Sequence, residues 1–259
     1  MAMRSANPIG QVLTMLFSTC LLVNLFGCAS NTLQTESAVV EKKSTPKALV
    51  DTLGFIPKRV IDEKTGQLIP YQTAVNPYLQ KSGQIDAPLV VEFISARRAY
   101  QSGSYKKAKE VLERLTKQDN TLSGPWVMLG DIAQKDNKLT EASVNYSKAL
   151  EINQNNVNAY IRLAKVQRQQ GDFIAAQNTY KSALAIWKDF PEAHLNLAIL
   201  YDIYLNKQLM SQRHLEAYLF LVDGRDKKQI VWLKELQQRT GKDIQLKVDI
   251  RKAVSETPS

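Results

Sequence analysis

Residues 126–149 read WVMLGDIAQKDNKLTEASVNYSKA, and this stretch decides the fold. Trp126, Leu129 and Gly130 open one helix, with two large apolar groups beside a gap where a side chain is missing. Ala142, Tyr146 and Ala149 lie at helical spacing on a second. Two helices packed face to face approach closely only where small residues meet large ones. Gly130 lets the paired helices approach closely, and Tyr146 is expected to fill the space between units.

The pattern W-x2-L-G-x2-A, then A-x3-Y, then Ala resembles one tetratricopeptide repeat, a helix-turn-helix unit recurring at about 34 residues. Ala133 stands where that pattern has Tyr, and Gln154 where it often has Pro. One period onward come Tyr160, Leu163, Ala164, then Ala176, Tyr180 and Ala183. A further period gives His194, Leu197, Ala198 and Tyr201, then Met210, His214 and Ala217. One period back gives Glu92, Ser95, Ala96 and Ala99, then Ala108, Leu112 and Leu115. The central copies are the clearest and the outer two are degraded, as befits terminal units with one neighbour instead of two. The expected fold is all-α: a helical-hairpin solenoid of about four units, closed by a C-terminal capping helix and preceded by a largely irregular arm. The units fall at 89–122, 123–156, 157–190 and 191–222.

Outside the repeats the chain changes character. Arg4 precedes an apolar run at residues 12–25, too short and abruptly ended for a comfortable membrane span. It ends in Leu25-Phe26-Gly27-Cys28, which resembles a bacterial lipobox. That resemblance implies a signal peptide at 1–27 and lipidation of Cys28, with Ala29 directing the protein to the periplasmic face of the outer membrane. An ordinary signal peptide or an uncleaved anchor is the alternative. Residues 28–48 are polar and read as a flexible tether. Residues 49–88 hold four prolines, which argue against a long helix, yet also Phe55, Ile56, Tyr71 and Tyr78. Part of this arm is expected to pack on the repeats, with a hairpin around Lys64-Thr65-Gly66; ordering only on binding a partner is the competing expectation. Residues 227–239 place Ile230, Trp232, Leu233 and Leu236 on one stripe, the expected capping helix of a 223–259 tail. That tail ends in an apolar alternation at 244–250.

The formal charge is +9, and Arg4 is the one charged residue before Cys28, so the remainder carries +8. Neither a nucleic-acid motif nor a dense basic run with interleaved aromatics accompanies that charge. The two cysteines, Cys20 and Cys28, belong to the N-terminal segment, so the folded domain offers no disulfide and no cysteine-rich metal site. His194 and His214 occupy positions filled elsewhere by Trp126 or Tyr160 and by Tyr146 or Tyr180, and read as packing residues. With no phosphate loop and no displayed nucleophile–base pair, catalytic residues, cofactor and metal are all expected to be absent.

What remains is a binding surface. In tetratricopeptide repeats the first helix of each unit lines a concave groove, and the resemblance places Phe93, Arg97, Tyr100, Asp131, Gln134, Lys135, Asn158, Ile161, Lys165, Arg168, Glu192 and Asp202 there. The middle of this groove is basic, suiting a peptide backbone or a carboxylate; a solvated helical face without a ligand is the competing reading. The chain resembles repeat-bearing lipoproteins of Gram-negative bacteria. This implies an outer-membrane scaffold or assembly factor that binds periplasmic or outer-membrane proteins, as in type IV pilus and secretin assembly. An adaptor for peptidoglycan enzymes or an accessory of a TonB-type system is the alternative, and a cell-wall hydrolase comes last. No nucleic acid or small-molecule substrate is expected.

Overall fold

The computed structural model describes residues 48–62, 64–80 and 85–243. The expected signal peptide, Cys28, nearly all of the tether and the alternation at 244–250 lie outside them. The repeats form four helical hairpins in succession. They are α2 (Ala87–Gln101) with α3 (Tyr105–Gln118), α4 (Ser123–Lys135) with α5 (Leu139–Ile152), α6 (Val157–Gln169) with α7 (Phe173–Ile186), and α8 (Pro191–Ile199) with α9 (Gln208–Leu221). Helix α10 (Lys227–Thr240) packs on α9 as the expected cap.

The repeat is written in the backbone as well as in the side chains. At the turn between paired helices, Gly103, Asn137 and Gly171 stand one period apart, each with a left-handed φ of 78°, 58° and 84°. Such a residue ends a helix because its amide can turn back to an orphan carbonyl. The bonds recur too: Ser104 N–H to Ala99 O, Lys138 N–H to Ala133 O and Asp172 N–H to Gln167 O, at 2.8–2.9 Å.

The fourth unit departs from this register. Helix α8 continues into a π-helical turn at Leu200–Tyr204, which holds one residue more than an α turn. The left-handed residue is therefore Asn206, one place late, and the closing bond runs from Lys207 N–H to Tyr201 O. This corrects the alignment of α9. Ser211, fully buried, bonds the Ala198 carbonyl at 2.8 Å and takes the position of Ala142 and Ala176. Leu215 packs against Ala198 where Tyr146 and Tyr180 pack in earlier units. His214 is turned by one residue's rotation away from that slot, toward His194 and the arm.

Each unit shares its core with the next. Ala108, Leu112, Met128 and Ile132 join units one and two, Tyr146, Ala159 and Val166 join two and three, and Tyr180, Phe190, Leu197 and Tyr201 join three and four. Fully buried leucines such as Leu112, Leu184 and Leu197 each contribute about 1.5–3 kcal/mol through removed apolar area. The cap adds Ile230, Leu233 and Leu236 against Leu215 and Leu219.

The arm packs on the solenoid, as expected of part of it. Gln177 on α7 brackets Val50, accepting its N–H at 3.1 Å and donating to its carbonyl at 2.7 Å. Thr52 is fully buried between Tyr201 and His214. After a 3₁₀ turn at Leu53–Phe55, Ile56 packs on Ala217 and Phe220. The hairpin is present as β1 (Val60–Ile61) paired antiparallel with β2 (Leu68–Ile69), turning at Gly66. The chain then returns to the α7–α8 loop. There Asp189, fully buried, accepts from Tyr71 Oη and the Ala74 amide, both at 2.6 Å, while Trp187 Nε1 donates to the Ala74 carbonyl at 2.6 Å. A single turn, α1 (Pro77–Gln80), delivers Tyr78 to the start of the groove.

Candidate functional site: the concave groove of units one to three

Phe93, Arg97 and Tyr100 stand at helical spacing on α2 and face the first helices of the next two units. With Asp131 and Asn158 they line a cavity of about 440 Å³. Five of the twelve residues expected in the groove therefore meet at one place. Its apolar part comes from Phe93 and Tyr100, with Val127 and Met128 behind them. Tyr100 meets Tyr105 edge to face at 5.3 Å, which fixes its ring, and burial raises its phenol above the ordinary value.

Two residues that the repeat pattern did not single out complete the wall. Arg162 on α6 donates through Nε to Asp131 Oδ1 at 2.7 Å and through Nη1 to the Asn158 carbonyl at 3.3 Å. Asp131 also accepts from Tyr146 Oη at 2.9 Å, so its charge is spent within the protein. Tyr78 comes from the arm. Its hydroxyl and the Phe93 ring flank Gly124, where an added Cβ would lie 3.4 Å from Phe93 Cζ. Arg162 occupies a position in the unit that is not a groove slot, and its long side chain reaches in from there. Tyr78 has no repeat register at all, and its one signal was the density of aromatics in the arm.

The other expected residues do not line this cavity. Gln134 donates to Gln169 Oε1 at 2.8 Å, bridging α4 and α6. Lys135 is exposed at the end of α4, and Glu192 is exposed in the first turn of α8. Ile161 is 5 % exposed and belongs to the core between units three and four. Lys165 is half-buried; burial, then the charges of Arg162 and Arg168, lower its ammonium below the ordinary range. The Arg168 guanidinium lies over the Tyr204 ring, 5.5 Å from its centre. Asp202 is held by the cap: Arg239 grips it with two bonds of 2.8 and 2.9 Å, and Trp232 Nε1 adds a third at 3.0 Å. Burial would raise this carboxyl, but those donors hold it below the usual carboxylate range.

The basic side chains along these first helices are Arg97, Arg162, Lys165 and Arg168; Arg162 is paired with Asp131, and the Glu192 carboxylate lies near enough to Lys165 to act on its charge. Among the described residues, Arg97 is exposed and has no carboxylate partner. An arginine over an aromatic cavity suits a carboxylate attached to an apolar or planar group, which it grips with two parallel donors.

A family model described as TPR repeat matches residues 130–171, and one described as tetratricopeptide repeat matches residues 157–186. Among solved structures, the chain is similar to MamA, residues 41 to the end, from Desulfovibrio magneticus. The TM-score is 0.51 at 16% identity, over 65% of this chain and 90% of that one. A tetratricopeptide repeat protein from Parabacteroides merdae gives 0.51 at 20% identity, over 59% of this chain and 60% of that one. A comparison with curated proteins finds no match for this chain. At such identities the likeness is one of fold. Residues 130–186 carry tetratricopeptide repeats, and the helical pairs around them build a solenoid of the same kind, a fold that generally serves as a scaffold for protein–protein interaction.

Proposed function

We propose that this protein is an interaction scaffold of the bacterial envelope whose groove between Arg97 and Arg168 captures an acidic, extended segment of a partner protein. The observation that carries this reading is the cavity itself. It is open, floored by Phe93 and Tyr100, and rimmed by the exposed Arg97, while the second arginine of its wall, Arg162, is paired with Asp131, the carboxylate among its lining residues. Excess positive charge around a low-dielectric concavity raises the local concentration of acidic partners and speeds their arrival.

The lipobox-like Cys28 supports a place at the periplasmic face of the outer membrane, as an assembly factor of an envelope complex of the pilus or secretin kind. On this reading Cys28→Ala releases the protein into the soluble periplasm; continued fractionation with the outer membrane would refute the anchor. The groove is tested by double charge reversal, Arg97→Glu with Arg168→Glu. Partner capture should fall by at least tenfold while the helical circular dichroism stays that of the parent. Capture that survives the reversal places the binding surface elsewhere.

A further inference from the structure

A chain of hydrogen bonds runs from the arm through the middle of unit four, and its two ends fix the position of every proton in it. At one end His194 Nε2 lies 3.0 Å from the Lys188 carbonyl, which can only accept, so Nε2 carries a proton. His194 Nδ1 lies 3.0 Å from His214 Nδ1, so one of the two donates. At the other end the Val50 N–H faces Gln177 Oε1, which makes Gln177 Nε2 the donor to Tyr201 Oη at 3.0 Å. Tyr201 then donates to Thr52 Oγ1 at 2.9 Å, and Thr52 donates to His214 Nε2 at 2.8 Å. His214 Nε2 is thereby an acceptor, so Nδ1 holds the proton and gives it to His194. Each imidazole is neutral, and every group is satisfied in one direction only.

An additional proton has no place in this chain. On His194 Nδ1 it would face the Nδ1–H of His214. On His214 Nε2 it would take away the acceptor of the Thr52 hydroxyl, leaving one of the Thr52 and Tyr201 hydroxyl protons with no acceptor. The surroundings offer little compensation. Asp189 beside His194 is occupied by Tyr71, Ala74 and Lys188. Arg213 beside His214 opposes a second positive charge and is paired with Glu216 at 3.6 Å. Among the described residues of the arm, Asp51 is the acidic group that acts on Tyr201. Burial lowers both imidazoles, His194 to about 4 and His214 well below its ordinary value.

We propose that this chain is a proton-controlled latch: protonating the His194–His214 pair frees the arm from unit four and withdraws Tyr78 from the wall of the groove. The two arm clamps are mechanically linked, because the Lys188 carbonyl held by His194 adjoins Asp189, which holds Tyr71 and Ala74. As a regulator of the groove the latch rests on the reading above; as a device that ties the arm it does not. Residues 48–80 are thus a strap that completes the binding wall at neutral pH and opens in acid.

The test is hydrogen–deuterium exchange of the full-length protein from pH 7 to pH 4, corrected for intrinsic exchange rates and followed beside far-ultraviolet circular dichroism. Amides of residues 50–56 and Ala74 should exchange at least tenfold faster below pH 5, while α4 to α7 keep their protection. Thr52→Val removes the hydroxyl that joins arm to relay without touching the repeats. It should open the strap already at pH 7 and abolish the acid step. Protection of residues 50–56 that persists to pH 4, or that disappears together with α4 to α7, would overturn the latch. Arg97→Glu should leave the acid step unchanged, so a failure of the groove reading and a failure of the latch are told apart.

Discussion

Gly130→Ala, the smallest possible change in α4, tests whether close helix approach is what makes these units. An ideal Cβ at Gly130 would lie 2.6 Å from Tyr146 Cδ1 and 2.8 Å from Cζ, and nearer still to Cε1. Ordinary contact needs about 3.5–4 Å, so the ring or the helix must move by about 1 Å. The ring has nowhere to go: Tyr146 is fully buried, and its hydroxyl is tied to Asp131 at 2.9 Å. Overpacking of this kind costs about 1–3 kcal/mol, and loosening a bond to a carboxylate adds about 1.5–3 kcal/mol if the ring swings away. Replacing helical Gly by Ala returns about 1 kcal/mol of propensity. The balance is a loss of about 1.5–5 kcal/mol, or about 3–20 °C in melting temperature for a domain of this size. Gly124→Ala in the same helix is the control, since its Cβ meets Phe93 at 3.4 Å, ordinary contact. Urea and thermal melts by circular dichroism should show Gly130→Ala destabilised and Gly124→Ala at parental stability or slightly above. Equal stability of the two variants would refute the packing argument.

Acid weakens the fold through the same imidazoles that close the latch. A free histidine binds its proton near 6.5 and His194 in the folded chain only near 4, so the unfolded state takes up more protons between those values. Stability is therefore full above about pH 6.5 and falls by up to about 1.4 kcal/mol per unit as pH drops toward 4, read as a falling urea midpoint. Asp202→Ala should free the cap by removing three donors' common acceptor. The expected cost is about 1–2 kcal/mol, because Arg239 is partly solvated. Faster exchange should be confined to α10 and the end of α9; an unchanged α10 would mean that its apolar stripe alone holds it.

The repeat was legible because it is a rule of size. Gly130, Ala142 and Tyr146 state it, and Ala164, Ala176 and Tyr180 restate it one period later. The slip in unit four was not legible. Leu200–Tyr204 is made of ordinary helix-compatible residues, and the single residue accommodated there leaves its clearest trace at Asn206, one place beyond the expected turn. Phe93, Arg97 and Tyr100 on α2 meet Asp131 on α4 and Asn158 on α6 because these three first helices line one hollow. Ile161 and Asp202 were taken up by the core and the cap, whose demands depend on which neighbour arrives from elsewhere in the chain. The arm lay beyond local reasoning for the same cause. Thr52 finds its partners 149 and 162 residues away, a distance no periodicity spans.

The most direct test of the groove as the partner-binding surface is photo-crosslinking in cells that make the protein. A benzophenone side chain replaces Gln101, at the cavity rim, or Val144, exposed on α5 away from it. The benzophenone at Gln101 should trap a partner through an acidic segment, the one at Val144 should not, and Arg97→Glu should abolish the Gln101 product. A partner trapped at Val144 and not at Gln101, or a Gln101 product indifferent to Arg97→Glu, would contradict the groove as that surface.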